Sequence, residues 1–67
     1  MNTPRMIEIE TRSAAGVLLY PPARISWAAF CAVNEPEVAN EVQAVLALQP
    51  EWRVGGGAAP IVTIRRA

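Results

Sequence analysis

The chain has 67 residues, a formal net charge of zero and a pI near 6.1. It contains no histidine, lysine or aspartate, so every positive side chain is Arg and every negative one is Glu. Most groups that proteins use to move protons or to form covalent intermediates are therefore missing. We expect a protein that is not an enzyme.

Residues 1–67 are predicted to form a single small domain, because a chain this short holds one domain at most. Such a domain buries only about 60% of the surface that its unfolded chain exposes, and it usually needs extra support. The lone Cys31 allows no intrachain disulfide, and one thiol with scattered glutamates is a poor metal-ligand set. We expect no metal and no cofactor. Of the usual supports for a small domain, only association with a second copy remains, and we therefore predict a homodimer.

The location of the protein is predicted from its apolar runs and its first residues. The longest apolar run, residues 14–20, falls short of the roughly 18 residues of a membrane span, so we expect no membrane association. Residues 1–12 alternate charged and apolar side chains, which is not typical of a signal peptide. A single thiol without an export signal predicts a cytoplasmic protein.

The N-terminal part predicts a β-hairpin. Residues 6–12 alternate strictly between two sets, one of Ile7, Ile9 and Thr11 and the other of Glu8, Glu10 and Arg12. This period of two predicts a half-buried strand. Residues 13–16 read as a turn that ends in Gly16, and residues 17–20 as a second, more fully buried strand. Pro21 and Pro22 end the hairpin because proline has no backbone N–H to donate.

The first helix has two possible starts. Pro22 could occupy the first helical position, or Ser26 could be the N-cap residue, with Ile25 packed against Phe30 as a hydrophobic staple. Ser26 has the better local chemistry, and the helix is predicted to end near Asn34. Cys31 on this helix is predicted to be a buried small side chain, since no histidine is present to activate it. A disulfide between two copies stays open.

The second helix is predicted over Pro36–Leu48, with Pro36 at its first position and Pro50 after its end. Its predicted buried stripe consists of Val38, Val42, Val45 and Leu46, and its predicted outward residues are Glu37, Asn40, Glu41 and Gln43.

Beyond this helix, residues 51–54 are an optional short strand, residues 55–60 a flexible loop and residues 61–66 a strand. The predicted fold is α+β: a small antiparallel sheet, made of the N-terminal hairpin and the C-terminal strand, packed by two short helices in the order ββααβ. The loop contains Gly55, Gly56 and Gly57, but it precedes a strand and the chain has no lysine, so a phosphate site is not expected.

The pair Glu8 and Glu10 on one strand face could in principle perform acid–base chemistry. We favour a structural interpretation, in which these carboxylates are solvated or pair with Arg65 or Arg66 on a neighbouring strand.

The favoured function is a non-catalytic protein–protein interaction module, a dimeric regulator or inhibitor that blocks a partner protein. Proteins of this size from phage and other mobile elements act in this way, which is an analogy of scale. Trp and Arg dominate binding hot spots, and Trp52 and Arg53 lie beside the glycine loop. For Trp52, a contact in the core or in the dimer is favoured over a hot spot for a foreign partner. Three candidate partner-binding surfaces result: Trp52 and Arg53 with Gly55, Gly56 and Gly57; Glu37 with Glu41; and Arg65 with Arg66.

The alternative function is a dimeric nucleic-acid-binding protein. It would use Arg5, Arg12, Arg65 and Arg66, brought together across a two-fold axis. The zero net charge and the outward Glu8 and Glu10 disfavour contact with phosphates.

Overall fold

The computed structural model describes residues 4–67, which fold into an antiparallel sheet packed by two helices. The elements are β1 (Met6–Arg12), β2 (Ala23–Ser26), α1 (Trp27–Val33), α2 (Pro36–Leu48), β3 (Glu51–Gly56) and β4 (Ala59–Arg66). The predicted α+β class is confirmed, and the optional strand before the last one is present. Residues 1–3 of the predicted domain lie outside the described part. Neither helix in the described part has the length and apolar character needed to span a bilayer.

The strands are ordered β2-β1-β4-β3, so β1 and β4 are central and β2 and β3 are edges. Residues directly opposite each other on antiparallel strands share one face of the sheet. The helices pack on one face, called the helical face, which carries Ile7, Ile9, Ile25, Trp52, Val54, Val62 and Ile64. The other face, called the open face, carries a row of alternating charge across all four strands: Arg24, Glu8, Arg65 and Glu51.

The second strand lies farther along the chain than the sequence predicts. Residues 17–20, predicted as a buried strand, are exposed and contribute one isolated bridge, between Leu18 and Arg12. The regular strand β2 begins only after Pro21 and Pro22. The two prolines interrupt the ladder because they lack N–H donors, and pairing resumes in a register that puts Ile25 on the helical face.

β2 continues directly into α1, and Ser26 is the last residue of the strand and the N-cap of the helix. Its Oγ accepts a hydrogen bond from the backbone N–H of Ala29 at 3.1 Å. The predicted N-cap is therefore confirmed, and a helix start at Pro22 is wrong. Trp27 and Phe30, one turn apart, stack with ring centroids 5.2 Å apart, and Phe30 is buried in the core.

Cys31 is exposed, which corrects the prediction of a buried side chain. Only Phe30 is buried among the seven residues of α1. Successive helical residues are rotated by about 100°, so the neighbour of a residue aimed at the sheet points away from it. A disulfide between two copies stays a prediction.

α2 has the predicted bounds, with Pro36 in its first turn and a backbone hydrogen bond from Gln49 to Val45 at its end. Its buried residues are Ala39, Val42 and Leu46. The predicted stripe is thus partly wrong: Val38 is 37% exposed, and Val45 is only half-buried. The helix is rotated so that the small Ala39, and not Val38, is buried in the core.

Residues 55–60 form a tight hairpin between β3 and β4 instead of the predicted flexible loop. Gly55, Gly56 and Gly57 have φ values of 97°, 117° and 61°, which residues with a side chain rarely adopt. A β-bulge lies between Val54 and Gly56. The glycine run therefore supplies the backbone geometry of a bulged turn, which composition alone does not distinguish from flexibility.

The core is small. Its buried apolar members in the described part are Ile7, Phe30, Ala39, Val42, Leu46 and Ile64. Nine large apolar side chains of residues 4–67 are by contrast exposed: Met6, Val17, Leu18, Leu19, Tyr20, Val33, Val38, Leu48 and Val54. Three of these, Val33, Val38 and Val54, border an open groove next to the core.

Candidate binding groove on the helical face

An apolar groove of about 280 Å³ lies on the helical face, between the helices and the sheet. Its floor is formed by Ile9, Val62 and Val54, one residue from each of β1, β4 and β3. Val33 at the end of α1 and Val38 near the start of α2 form its helical wall. We call this feature the groove.

The groove exists because the helices cover only part of the sheet. The seven residues of α1 span about 10 Å, whereas the seven residues of β1 span about 23 Å. Burial therefore declines along each strand: Ile7 is 0% exposed and Ile9 is half-buried, while Ile64 is 2% exposed and Val62 is half-buried. The far half of the helical face is apolar and uncovered by the described chain.

Trp52 lines the groove and packs against the core. Its indole Nε1 donates a hydrogen bond to Glu41 Oε2 of α2 at 2.8 Å, which fixes the ring against the helix. The sequence places Trp52 and Glu41 on two separate candidate surfaces, and the structure brings them together. Their role in partner binding stays a prediction.

Three glutamates adjoin residues that line the groove, and we call them the acidic rim: Glu35 follows Asn34, Glu37 precedes Val38, and Glu41 accepts the hydrogen bond from Trp52. All three are exposed, and they stand in and beside the first two turns of α2, the helix that supplies Val38 to the groove. Glu37 belongs to the first turn, where the positive end of the helix dipole favours a carboxylate. An apolar ligand with positive flanks would match this site.

Arg66 lies at the opposite end of α2 from the acidic rim. Its Nε and Nη2 donate to the backbone oxygen of Leu46 at 3.1 and 2.9 Å. A guanidinium at this position satisfies a carbonyl near the helix C-terminus and complements the negative end of the dipole. Arg66 thus has a structural role in the fold, and its predicted role in partner binding stays a prediction.

Arg65, the next residue, points to the open face and joins two carboxylates. Its Nη1 donates to Glu10 Oε1 at 2.9 Å, and its Nε donates to Glu51 Oε2 at 3.1 Å. The predicted pairing of Glu10 with Arg65 is confirmed. These bonds, above all the one from Arg65 and then the one from Arg12, hold the pKa of Glu10 below its ordinary value. The bond to Glu10 in turn raises the pKa of Arg65.

Arg53 and Trp52 lie on opposite faces of the sheet, and the glycine hairpin lies at the end of the strand pair that carries both. Arg53 lies opposite Thr63 on the open face, where its Nη2 donates to Glu51 Oε1 at 2.8 Å. The first candidate surface, predicted as one patch, is therefore divided: Trp52 belongs to the groove, and Arg53 to the open face.

The arginines of the nucleic-acid alternative are likewise divided. Arg12 and Arg65 both bind Glu10 on the open face, and Arg66 binds the end of α2 on the helical side. Arg5 is exposed beside the start of β1. Within one chain, these four side chains therefore form two separate pairs: Arg5 and Arg66 line one shallow pocket, and Arg12 and Arg65 share Glu10.

Residues 17–20 form an exposed apolar segment that the sequence analysis misassigned to the sheet. Val17, Leu18, Leu19 and Tyr20 are 62%, 42%, 45% and 65% exposed. The signal that could have revealed this exposure is the Pro-Pro pair that follows, since a strand that runs into two prolines cannot continue its ladder.

Among residues 4–67, no three side chains of the metal-ligating types Cys and Glu come together in a cluster that could hold an ion. Comparisons with protein-family models, curated proteins and solved structures give no match for this chain.

Proposed function

We propose that this protein is a small, non-catalytic protein–protein interaction module that binds an apolar segment of a protein chain in the groove. It acts as a regulator or inhibitor by occupying a site on its partner, and it associates with a second copy of itself. The observation that supports this function is the groove, an apolar site of about 280 Å³ beside the core. A phage or mobile-element origin rests on size alone.

The lining of the groove favours a peptide-like ligand. Aromatic and branched apolar side chains supply most of the binding energy at protein interfaces. Trp52 is held in place by Glu41, so little side-chain entropy is lost when a ligand packs against it. The acidic rim of Glu35, Glu37 and Glu41 favours a segment with arginine or lysine on its flanks.

The test uses three versions of the protein as baits in extracts of the native host: wild type, Val38→Arg and Leu48→Arg. Val38 borders the groove and is 37% exposed, whereas Leu48 is 89% exposed at the other end of the same helix. The two variants thus add the same charge to α2 and differ only in position. A protein captured by the wild type is then purified and titrated against all three versions by calorimetry.

Val38→Arg is expected to weaken partner affinity by at least about tenfold, because a charge replaces an apolar contact in the groove. Leu48→Arg is expected to bind as the wild type does. Equal affinities of the partner for all three folded proteins would show that the groove is not the binding site.

A further inference from the structure

The exposed apolar segment, residues 17–20, is held in a fixed position away from the groove. The backbone N–H of Ser13 donates to the oxygen of Val17 at 2.7 Å, and that of Leu19 donates to the oxygen of Thr11 at 2.9 Å. These bonds fasten the segment to the end of β1. Its side chains remain 42% to 65% exposed, so the segment does not fill the groove of its own chain.

The segment and the groove are complementary in polarity and in charge. The segment presents two leucines, a valine and a tyrosine, and the groove is lined by apolar side chains. Two exposed arginines flank the segment: Arg24 after it, and Arg12 before it, which is already paired with Glu10. Among the described residues, the groove lining contains no arginine, and the three exposed glutamates of the acidic rim adjoin it through Asn34, Val38 and Trp52.

The size of the required contact is reasonable for a chain of this size. A standard interface buries about 800 Å² per partner, which is less than a fifth of the 4526 Å² that this chain exposes. A two-fold axis would use the segment and the groove of each copy once, so two identical sites would form. The thin core gives such an association a clear benefit, since it covers apolar surface that folding leaves in water.

We propose that two copies of this chain form a reciprocal dimer, in which residues 17–20 of each copy occupy the groove of the other. This inference rests on the proposed function of the groove and names its occupant. A foreign partner then competes with the second copy for the same site.

The test measures molar mass by light scattering and sedimentation at micromolar concentrations. The variants are Val38→Arg in the groove, Tyr20→Glu in the segment, and Leu48→Arg as the control on α2. Tyr20 is 65% exposed, so its replacement leaves the core unchanged. Circular dichroism and thermal unfolding confirm that each variant is folded.

The wild type and Leu48→Arg are expected at twice the chain mass of 7.2 kDa, and each of the other variants alone at the monomer mass. An equal mixture of Tyr20→Glu and Val38→Arg should dimerise again. In a dimer of one copy of each variant, the groove of Tyr20→Glu and the segment of Val38→Arg form an unchanged site. The other site pairs the introduced Glu with the introduced Arg.

Three results would overturn the proposal: a monomeric wild type, dimers of either variant alone, or a mixture that stays monomeric. A dimer of either variant alone would indicate an interface on some other surface, and a monomeric mixture would show that the segment of one copy does not enter the groove of the other. The proposed function is tested separately, because Tyr20→Glu keeps an intact groove. If the wild type is monomeric but Val38→Arg still loses the captured partner, the groove function stands and the reciprocal dimer does not.

Discussion

Glu10 is a charged side chain on the open face that is nevertheless only about 10% exposed. Arg65 and Arg12 lie against it and satisfy both of its oxygens. The charge-assisted hydrogen bonds favour the ionised carboxylate and lower its pKa. This carboxylate joins β1 to β4 through side chains in addition to the backbone ladder.

The lowered pKa of Glu10 makes folding stability depend on pH. Because the folded-state pKa is below the unfolded value of about 4.5, the contribution of Glu10 is present above pH 4.5 and is lost as the pH falls through the folded-state pKa. We expect Glu10→Gln to lower the free energy of unfolding at pH 7 and to have a smaller effect at pH 3. Urea unfolding of both proteins between pH 7 and pH 3 measures the difference.

The matched control for this prediction is Glu8→Gln, which removes a carboxylate from the same strand face and leaves the contact between Glu10 and Arg65 intact. If wild type and Glu10→Gln lost stability in parallel from pH 7 to pH 3, the ion pair would contribute nothing to folding.

At the level of single residues, the sequence predicts contacts that follow from strand alternation and misses those that depend on helix orientation. The pairing of Glu10 with Arg65 was predictable, because both occupy outward positions of strands that can be neighbours. The contact of Trp52 with Glu41 depends on how α2 crosses β3, which no local pattern specifies. The exposure of Cys31 depends in the same way on the rotation of a short helix.

Among the elements, the β3–β4 hairpin makes the strictest demand on residue type. Gly55 combines a φ of 97° with a close approach: a Cβ built there would lie 1.9 Å from the backbone oxygen of Pro60. Gly56 has a φ of 117°, but a Cβ there would meet nothing within 4 Å. Alanine substitutions at Gly55 and Gly56 therefore measure the cost of steric overlap separately from that of backbone strain.

We expect Gly56→Ala to cost roughly 1–2 kcal/mol of stability from backbone strain alone. Gly55→Ala should cost about 1–3 kcal/mol more, because the added methyl group forces the hairpin apart. Chemical denaturation of the two variants measures both values. Equal destabilisation would mean that the close approach of Pro60 relaxes without cost.

Helix boundaries were predictable from sequence because their signals are local. Ser26 caps α1, and Pro36 lies in the first turn of α2. The second strand was not predictable in the same way, because residues 17–20 and Ala23–Ser26 both follow a turn after β1 and only one can pair regularly. Tertiary packing decides which of the two segments pairs, because a strand at Ala23–Ser26 lets Ile25 pack against the core.

For the molecule as a whole, stability depends on very few buried side chains. A domain of this size has a total stability of roughly 3–10 kcal/mol at about 0.05–0.15 kcal/mol per residue. Val42 is completely buried at the centre of α2, and Val38, one turn earlier, is 37% exposed. The same substitution, Val→Ala, made at each of these two positions can therefore test the core and the groove separately.

We expect Val42→Ala to cost about 2–3 kcal/mol, which combines lost burial with the cavity left behind. Val38→Ala should cost less than about 1 kcal/mol. Both are made in a Tyr20→Glu background, so that association does not contribute, and are compared by urea unfolding. A loss at position 38 as large as that at position 42 would mean that the groove wall belongs to the core.

The whole-molecule architecture was largely predictable, and the groove was not. Alternation over Met6–Arg12 and helical periodicity over Pro36–Leu48 predict a sheet packed by helices. The groove results from a mismatch in length between α1 and the strands beneath it, and from a rotation of α2 that leaves Val38 at its border. Both are properties of packed elements, so the pattern of any single element does not contain them.

The central pairing of β1 with β4 has a consequence for the synthesis of this protein. Glu10 and Arg65 are 55 positions apart, so a ribosome that adds roughly 5–20 residues per second needs about 3–11 s between them. During this time β1 has only the four-residue β2 as a partner, and a two-stranded ribbon is marginal in water. The alternating charges of Glu8, Glu10 and Arg12 then act as gatekeepers, because they keep an unpaired apolar strand from aggregating on the nascent chain.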